Sequence, residues 1–188
     1  MKNKTIIGTV LLAGGAAVLL LNSCSTIPKL AKPVNGFDIN RYLGTWYEIA
    51  RLDYRFERHI DNAIAQYSLK NNGNVNVKNS GYHTKKEKWT SANGMAKFRG
   101  AADNAALKVS FFGPFFAGYN VIALDEDYQY AMVAGKNLNY LWILSRTKTI
   151  PDDIISNYLK KAEDIGYDTS KLIWVKHDKN NNPFLNEK

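Results

Sequence analysis

The chain has little of what catalysis and metal binding require. Its three histidines, His59, His83 and His177, lie too far apart to form a zinc site, and only one cysteine is present. The sequence contains no Gly-x-Ser-x-Gly elbow, no phosphate-binding Gly-rich loop, and no serine or cysteine spaced to work with a histidine. It therefore predicts a binding protein with no metal or cofactor. The enzyme alternative is an acid such as Glu48 that acts on a lipid ester.

Long apolar runs are also absent, apart from one near the N-terminus. Lys2 and Lys4 precede an apolar stretch over residues 6–21, which small and polar residues follow. A membrane-spanning helix is the alternative, but it needs roughly 20 apolar residues. Basic residues, a short apolar core and a small-residue cleavage site are typical of a secretory signal peptide, which we place at residues 1–23.

Cys24 directly follows this segment, and as the only cysteine it cannot form a disulfide within the chain. The segment around it resembles a bacterial lipobox, which implies that Cys24 becomes the acylated first residue of the mature protein. A free thiol or an intermolecular disulfide is the alternative. With Ser25 next, the resemblance implies a lipid anchor in the outer membrane. Residues 24–35 are predicted to be the acylated tether, and residues 36–188 the folded domain.

Acidic residues are fewer than basic ones. The formal charge is +8, and removal of residues 1–23 lowers it to +6. A basic protein favours nucleic acid or anionic lipid surfaces, and export makes the lipid the better partner. Charge that serves solubility alone explains the excess equally well.

Strand-like runs fill most of the mature chain. Eight are predicted, at residues 45–51, 62–69, 74–82, 87–98, 106–112, 119–125, 128–135 and 140–146. Eight antiparallel strands close a small up-and-down β-barrel around one ligand. Pro151-Asp152-Asp153 then predicts the start of a C-terminal α-helix that ends at Gly166, and residues 171–177 predict a short ninth strand. The predicted fold class is all-β.

Two distant motifs should meet at one end of this barrel. Gly44 and Trp46 open the first strand, and Arg146 ends the eighth, so alternating connections put them at the same end. A guanidinium over an indole face stabilises a protein by about 0.5–2 kcal/mol. The pattern resembles the lipocalins, and most closely the bacterial lipocalins of the apolipoprotein D type. That family has a Thr-Asp-Tyr motif at the same end; this chain lacks the Thr, and Asp125 and Asp127 are both candidates for the Asp.

Alternation along the strands predicts which side chains face the barrel lumen. Trp46 facing inward places Glu48 and Ala50 inward as well, and a buried Glu48 would need a polar partner. The other predicted lumen residues are Ala63, Ala65, Tyr67, Val75, Val77, Leu107, Val109, Phe111 and Trp142. Small residues opposite aromatic ones predict unfilled space. We expect ligand contacts at Ala65, Tyr67, Val77, Val109, Phe111, Phe116 and Trp142.

The end opposite Trp46 is predicted to be the open mouth, formed by residues 52–61, 82–86, 113–118 and 135–139. Four phenylalanines surround Gly113-Pro114 there, an apolar group that predicts contact with a ligand or partner unless the rings fold back into the core. The family resemblance implies binding and transport or storage of fatty acids, lysophospholipids or phospholipids in envelope maintenance. A surface-attached module that binds a protein through the Phe-rich loop is the alternative. The sequence is compatible with a monomer and with a homodimer.

Overall fold

A nine-stranded antiparallel sheet forms most of the protein. The computed structural model describes residues 26–55 and 57–185, so Cys24 and the predicted signal peptide lie outside the described residues. The strands are β1 Gly44–Leu52, β2 Ile60–Leu69, β3 Val75–His83, β4 Lys88–Phe98, β5 Ala106–Phe112, β6 Phe115–Leu124, β7 Tyr130–Ala134, β8 Leu141–Ser145 and β9 Leu172–Trp174. Neighbours in sequence pair, and β1 pairs with both β2 and β8, which closes β1–β8 into a barrel. The predicted barrel is confirmed.

Two helices complete the fold. Helix α1 (Ile39–Tyr42) begins at Asp38, whose carboxylate accepts a hydrogen bond from the Asn40 amide. Helix α2 (Asp152–Ile165) carries two acidic residues in its first turn, where the helix dipole favours them, and ends at Gly166, whose φ of 106° suits glycine. Strand β9 pairs with the mouth-side part of β1. The predicted C-terminal helix and ninth strand are therefore confirmed.

The apolar residues form two separate cores. One fills the barrel lumen, and the other lies outside the barrel, where α2 packs Tyr158, Ala162 and Ile165 against the sheet. A β-bulge between Glu48 and Ala50 changes which side chains of β1 face which core. Ala50 joins the outer core, and Arg51, opposite the lumen residue Trp142, turns inward. The prediction that Ala50 faces the lumen is therefore wrong.

Strand β6 begins earlier than its sequence pattern indicated. It pairs with β5 from Phe115 onward, so the connection consists of Gly113 and Pro114 alone. The predicted loop at 113–118 is wrong because Phe115, Ala117 and Gly118 pair with β5, across a register shift between Val109 and Phe112.

The segment before α1 lies against the barrel. The Val34 amide donates to the Val121 carbonyl at 2.9 Å, and the Val34 carbonyl accepts from the Ala105 amide at 2.9 Å. Contact with the barrel thus begins ahead of Gly36. None of the helices within residues 26–55 and 57–185 has the length and apolar character needed to cross a bilayer.

Candidate functional site

Arg146 and Trp46 hold the closed end of the barrel together. The Arg146 guanidinium carbon lies 3.9 Å from the centroid of the fully buried Trp46 ring. Arg146 donates hydrogen bonds to the carbonyls of Thr45 (2.9 Å), Arg41 (2.8 Å) and Tyr128 (3.1 Å). The Trp46 indole donates to the Tyr42 carbonyl at 2.8 Å. One cation therefore ties β1, α1 and the β6–β7 turn together at the base of the lumen.

Two further residues fit this end. Gly44 has a φ of 92°, which L side chains rarely adopt, and it lies beside Arg146. Asp125 accepts hydrogen bonds from the amides of Asp127, Gln129 and Tyr130, so its carboxylate fixes the β6–β7 turn. Of the two aspartates considered for the family motif, Asp125 thus has the structural role.

A row of tyrosine hydroxyls crosses the closed half of the lumen. Tyr119 lies within hydrogen-bond distance of Tyr42 (2.7 Å) and Tyr67 (2.9 Å). Burial raises the pKa of all three phenols, so they remain neutral. The surrounding wall is otherwise apolar and consists of Phe37, Ile39, Val75, Val77, Ala96, Leu107 and Val109.

The space left in this half is small. It amounts to about 10 Å³, room for about one water molecule. The prediction of unfilled space is therefore wrong for the closed half, where three tyrosine side chains line the little space that remains. A lipid chain can enter the closed half only if wall side chains move.

The mouth-side half of the lumen is charged. Arg51, 2% exposed, donates to the Glu48 carboxylate at 2.6 Å and to the carbonyls of Glu57 and Ile60 at 2.8 and 2.9 Å. The Glu57 carboxylate, on the β1–β2 loop, accepts from the Trp142 indole at 2.9 Å. The buried Nε of Arg51 has no hydrogen-bond partner. Arg51 thus joins the Glu48 carboxylate to the backbone carbonyls of Glu57 and Ile60 at the point where the loop meets the lumen.

Burial dominates the electrostatics of this group. It raises the pKa of Glu48 to about 8, with a smaller contribution from the negative charge of Glu57 and opposition from Arg51. Burial likewise raises the pKa of Glu57. Glu48 therefore retains a proton near neutral pH. Among the described residues, no group of three or more His, Cys, Asp and Glu side chains is arranged to hold a metal ion.

The structure brings most of the predicted ligand contacts together. Ala65, Tyr67, Val77, Val109, Phe111 and Trp142 all belong to the lumen core. Sequence reasoning missed Tyr119, Arg51 and Glu57 as part of this site. A buried tryptophan needs an acceptor for its N–H, and that need was the available signal for a polar partner beside Trp142.

Phe116 lies elsewhere. Its ring faces Lys97 and Lys108, which alternate with lumen residues and so point outward, at 5.8 and 5.0 Å from ring centroid to ammonium. The prediction that Phe116 lines the ligand's path into the lumen is therefore wrong in its geometry. Phe112 and Phe115 at the β5–β6 turn are 70% and 78% exposed, and do not fold back into the core.

Comparison with known proteins agrees with the fold. A family model described as a lipocalin-like domain matches residues 37–177. The outer membrane lipoprotein Blc of Citrobacter freundii is 53% identical over 87% of this chain and 94% of its own length. Rat apolipoprotein D is 35% identical, over 66% of this chain and 68% of its own. Among solved structures, insecticyanin from the tobacco hornworm Manduca sexta has a TM-score of 0.62 at 25% identity, over 78% of this chain and 84% of that one.

The bacterial relatives also agree with the N-terminal sequence. Proteins about half identical to this chain over most of its length are named outer membrane lipoproteins, as the resemblance of the segment around Cys24 to a lipobox predicts. The protein is therefore a lipid-anchored component of the outer membrane.

Proposed function

Because this chain belongs to the lipocalin family, we propose that it binds the acyl chain of a fatty acid, lysophospholipid or phospholipid in its lumen, and transports or stores such lipids in envelope maintenance. The observation that carries the proposal is the composition of the lumen. Apolar and aromatic side chains line it, and the ionisable side chains of Glu48, Arg51 and Glu57 lie toward the mouth. That is the arrangement an amphiphile needs, with its tail inside and its head outward.

The driving force is removal of the acyl chain from water, at about 25 cal/mol per Å² of apolar surface. Part of it is offset because the side chains that fill the closed half must move. Basic residues surround the mouth and could meet an anionic head group, namely Arg55, Arg58, Lys85 and Lys86. Of these, Arg58 is exposed and lies 3.2 Å from Asp53.

Trp142 provides the test. Its indole lies in the lumen and bonds to Glu57, so a lipid that enters should change its environment and its emission. Titration with a long-chain fatty acid or a lysophospholipid should change the tryptophan fluorescence saturably, and much less in Trp142→Phe. Calorimetry gives an independent affinity.

Two phenylalanines supply a matched pair. Phe111→Asp puts a carboxylate on the lumen wall and should weaken binding by about tenfold or more, since that charge is costly to desolvate. Phe116→Asp, on the outside, should bind nearly as the wild type does. No saturable binding by either method would refute the lipid site and leave the protein-binding role of the exposed Phe112 and Phe115 as the function.

A further inference from the structure

The outer face of β4–β6 has an unusual charge distribution. These three strands contain no aspartate and no glutamate. The lumen residues of these strands alternate with Lys97, Lys108 and Phe116, which face outward. The ammonium groups of both lysines lie over the Phe116 ring. Helix α2 packs instead on the part of the sheet around Met132 and Ile143. Around Lys97, Lys108 and Phe116 the β4–β6 face is therefore basic and aromatic, and α2 leaves this part uncovered, whereas Ile122 further along β6 belongs to the outer core.

The β5–β6 hairpin extends this face with apolar surface. Phe112 and Phe115 at its turn are the two most exposed aromatic side chains among the described residues. Aromatic rings beside lysines match the interface of a bilayer, where rings enter the head-group layer and ammonium groups stay with anionic phosphates. Exposed aromatic rings of this size do not stabilise a surface that faces only water.

The N-terminal segment links this face to the membrane anchor. The Thr26 carbonyl accepts a hydrogen bond from the Asn120 side-chain Nδ2 at 2.9 Å, and the Thr26 hydroxyl accepts one from the Arg99 guanidinium. Asn120 is on β6, and Arg99 directly follows β4. Cys24 is two residues before Thr26, a span of at most roughly 7 Å even when extended. The acyl chains therefore leave the protein close to this face.

We propose that the outer face of β4–β6 rests on the anionic surface of the bilayer that holds the acyl chains of Cys24, with Phe112 and Phe115 in the lipid interface. The barrel then lies with one side of its wall and one edge of its mouth against the membrane. The proposal rests on the anchor at Cys24 and is independent of what the lumen binds.

Depth-dependent quenching tests this orientation in the full acylated protein. Because Cys24 is acylated, a second cysteine is the only free thiol and can carry an environment-sensitive fluorophore. The variants are Phe115→Cys, with Leu69→Cys at the closed end and Asn157→Cys on α2 as controls, in vesicles of phosphatidylethanolamine and phosphatidylglycerol. Lipids with a quencher on the acyl chain should quench the label at position 115 severalfold more than either control, and iodide should do the reverse.

The basic residues supply the second arm. The double variant Lys97→Glu with Lys108→Glu should lose much of the lipid quenching at position 115, whereas Lys160→Glu with Lys161→Glu on α2 should keep it. Equal quenching at all three positions, or the strongest quenching at position 69 or 157, would overturn the proposal. So would a label at position 115 shielded from both quenchers, which would show that another protein covers the hairpin.

Discussion

The two halves of the lumen differ in the hydrogen-bond partners of their arginine side chains. At the closed end, Arg146 donates to three backbone carbonyls and lies on the Trp46 ring, and the Asp125 carboxylate acts on it through space rather than through a hydrogen bond. Toward the mouth, Arg51 donates to the Glu48 carboxylate, burial raises the pKa values of Glu48 and Glu57, and the Arg51 Nε lacks a partner.

This difference separates stability from function. The carbonyls that accept from Arg146 belong to a fixed backbone and do not titrate. The hydrogen bonds at the closed end therefore keep one arrangement. A carboxyl with a pKa of about 8, an unpartnered donor and a loop residue such as Glu57 leave the mouth-side group with more than one arrangement. We expect the closed end to determine the free energy of unfolding, and the mouth-side half to respond to pH and ligand.

The largest effect should come from Arg146→Ala. It removes three charge-assisted hydrogen bonds and the contact with the Trp46 ring, and should lower the free energy of unfolding by about 3 kcal/mol or more. Urea unfolding followed by circular dichroism measures this loss. Lipid affinity should change little at a temperature where the variant remains folded.

Arg41→Ala is the matched control for that variant. The Arg41 side chain donates to one carbonyl, that of Glu126, and lies over Tyr128, so its loss should cost about 1 kcal/mol. The Arg41 carbonyl that accepts from Arg146 is unaffected by the substitution. Lost lipid binding with unchanged stability in Arg146→Ala would reverse the assignment of the two halves.

A smaller effect should appear in the pH dependence of unfolding. Unfolded Glu48 ionises near pH 4.5, whereas folded Glu48 keeps its proton up to a pKa of about 8. Between these values the folded state binds more protons, so rising pH favours unfolding, by up to about 1.4 kcal/mol per pH unit. Glu48→Gln should reduce this slope and leave the part that the raised pKa of Glu57 contributes, as measured by urea midpoints across the window.

The exposed Glu126→Gln at the closed end serves as the control and should retain the wild-type slope. If Glu48→Gln follows the same pH dependence as the wild type, then Arg51 keeps Glu48 ionised, and the mouth-side half is as fixed as the closed end.

Much of the barrel was predictable because alternation and turns depend on local sequence. Trp46 and Arg146 could be paired from topology alone. The bulge at Glu48–Ala50 could not be predicted, since an extra residue in one strand depends on its partner strands and leaves no mark in an alternating pattern. That bulge turns Arg51 inward.

Strand alternation could not predict the positions of loop residues. Alternation assigns no face to Glu57, because it lies between strands, so its bond to Trp142 follows only from the folded loop. Phe116 was misplaced for a related reason. Treating residues 113–118 as a loop removed the strand alternation that would have put the ring outside.

The smallest effect on stability should come from substitutions in the tyrosine row, whose hydroxyls are neutral. Three hydroxyl hydrogens serve two contacts, and Tyr119 takes part in both. Tyr119→Phe should therefore lower the free energy of unfolding by about 1 kcal/mol more than Tyr67→Phe, which leaves the Tyr42–Tyr119 contact intact. Neither loss should vary between pH 5 and pH 9, roughly, because burial keeps all three phenols protonated. Equal losses in the two variants would mean that the hydroxyls contribute through packing alone, and a loss that changes with pH would tie the row to the charged group above it.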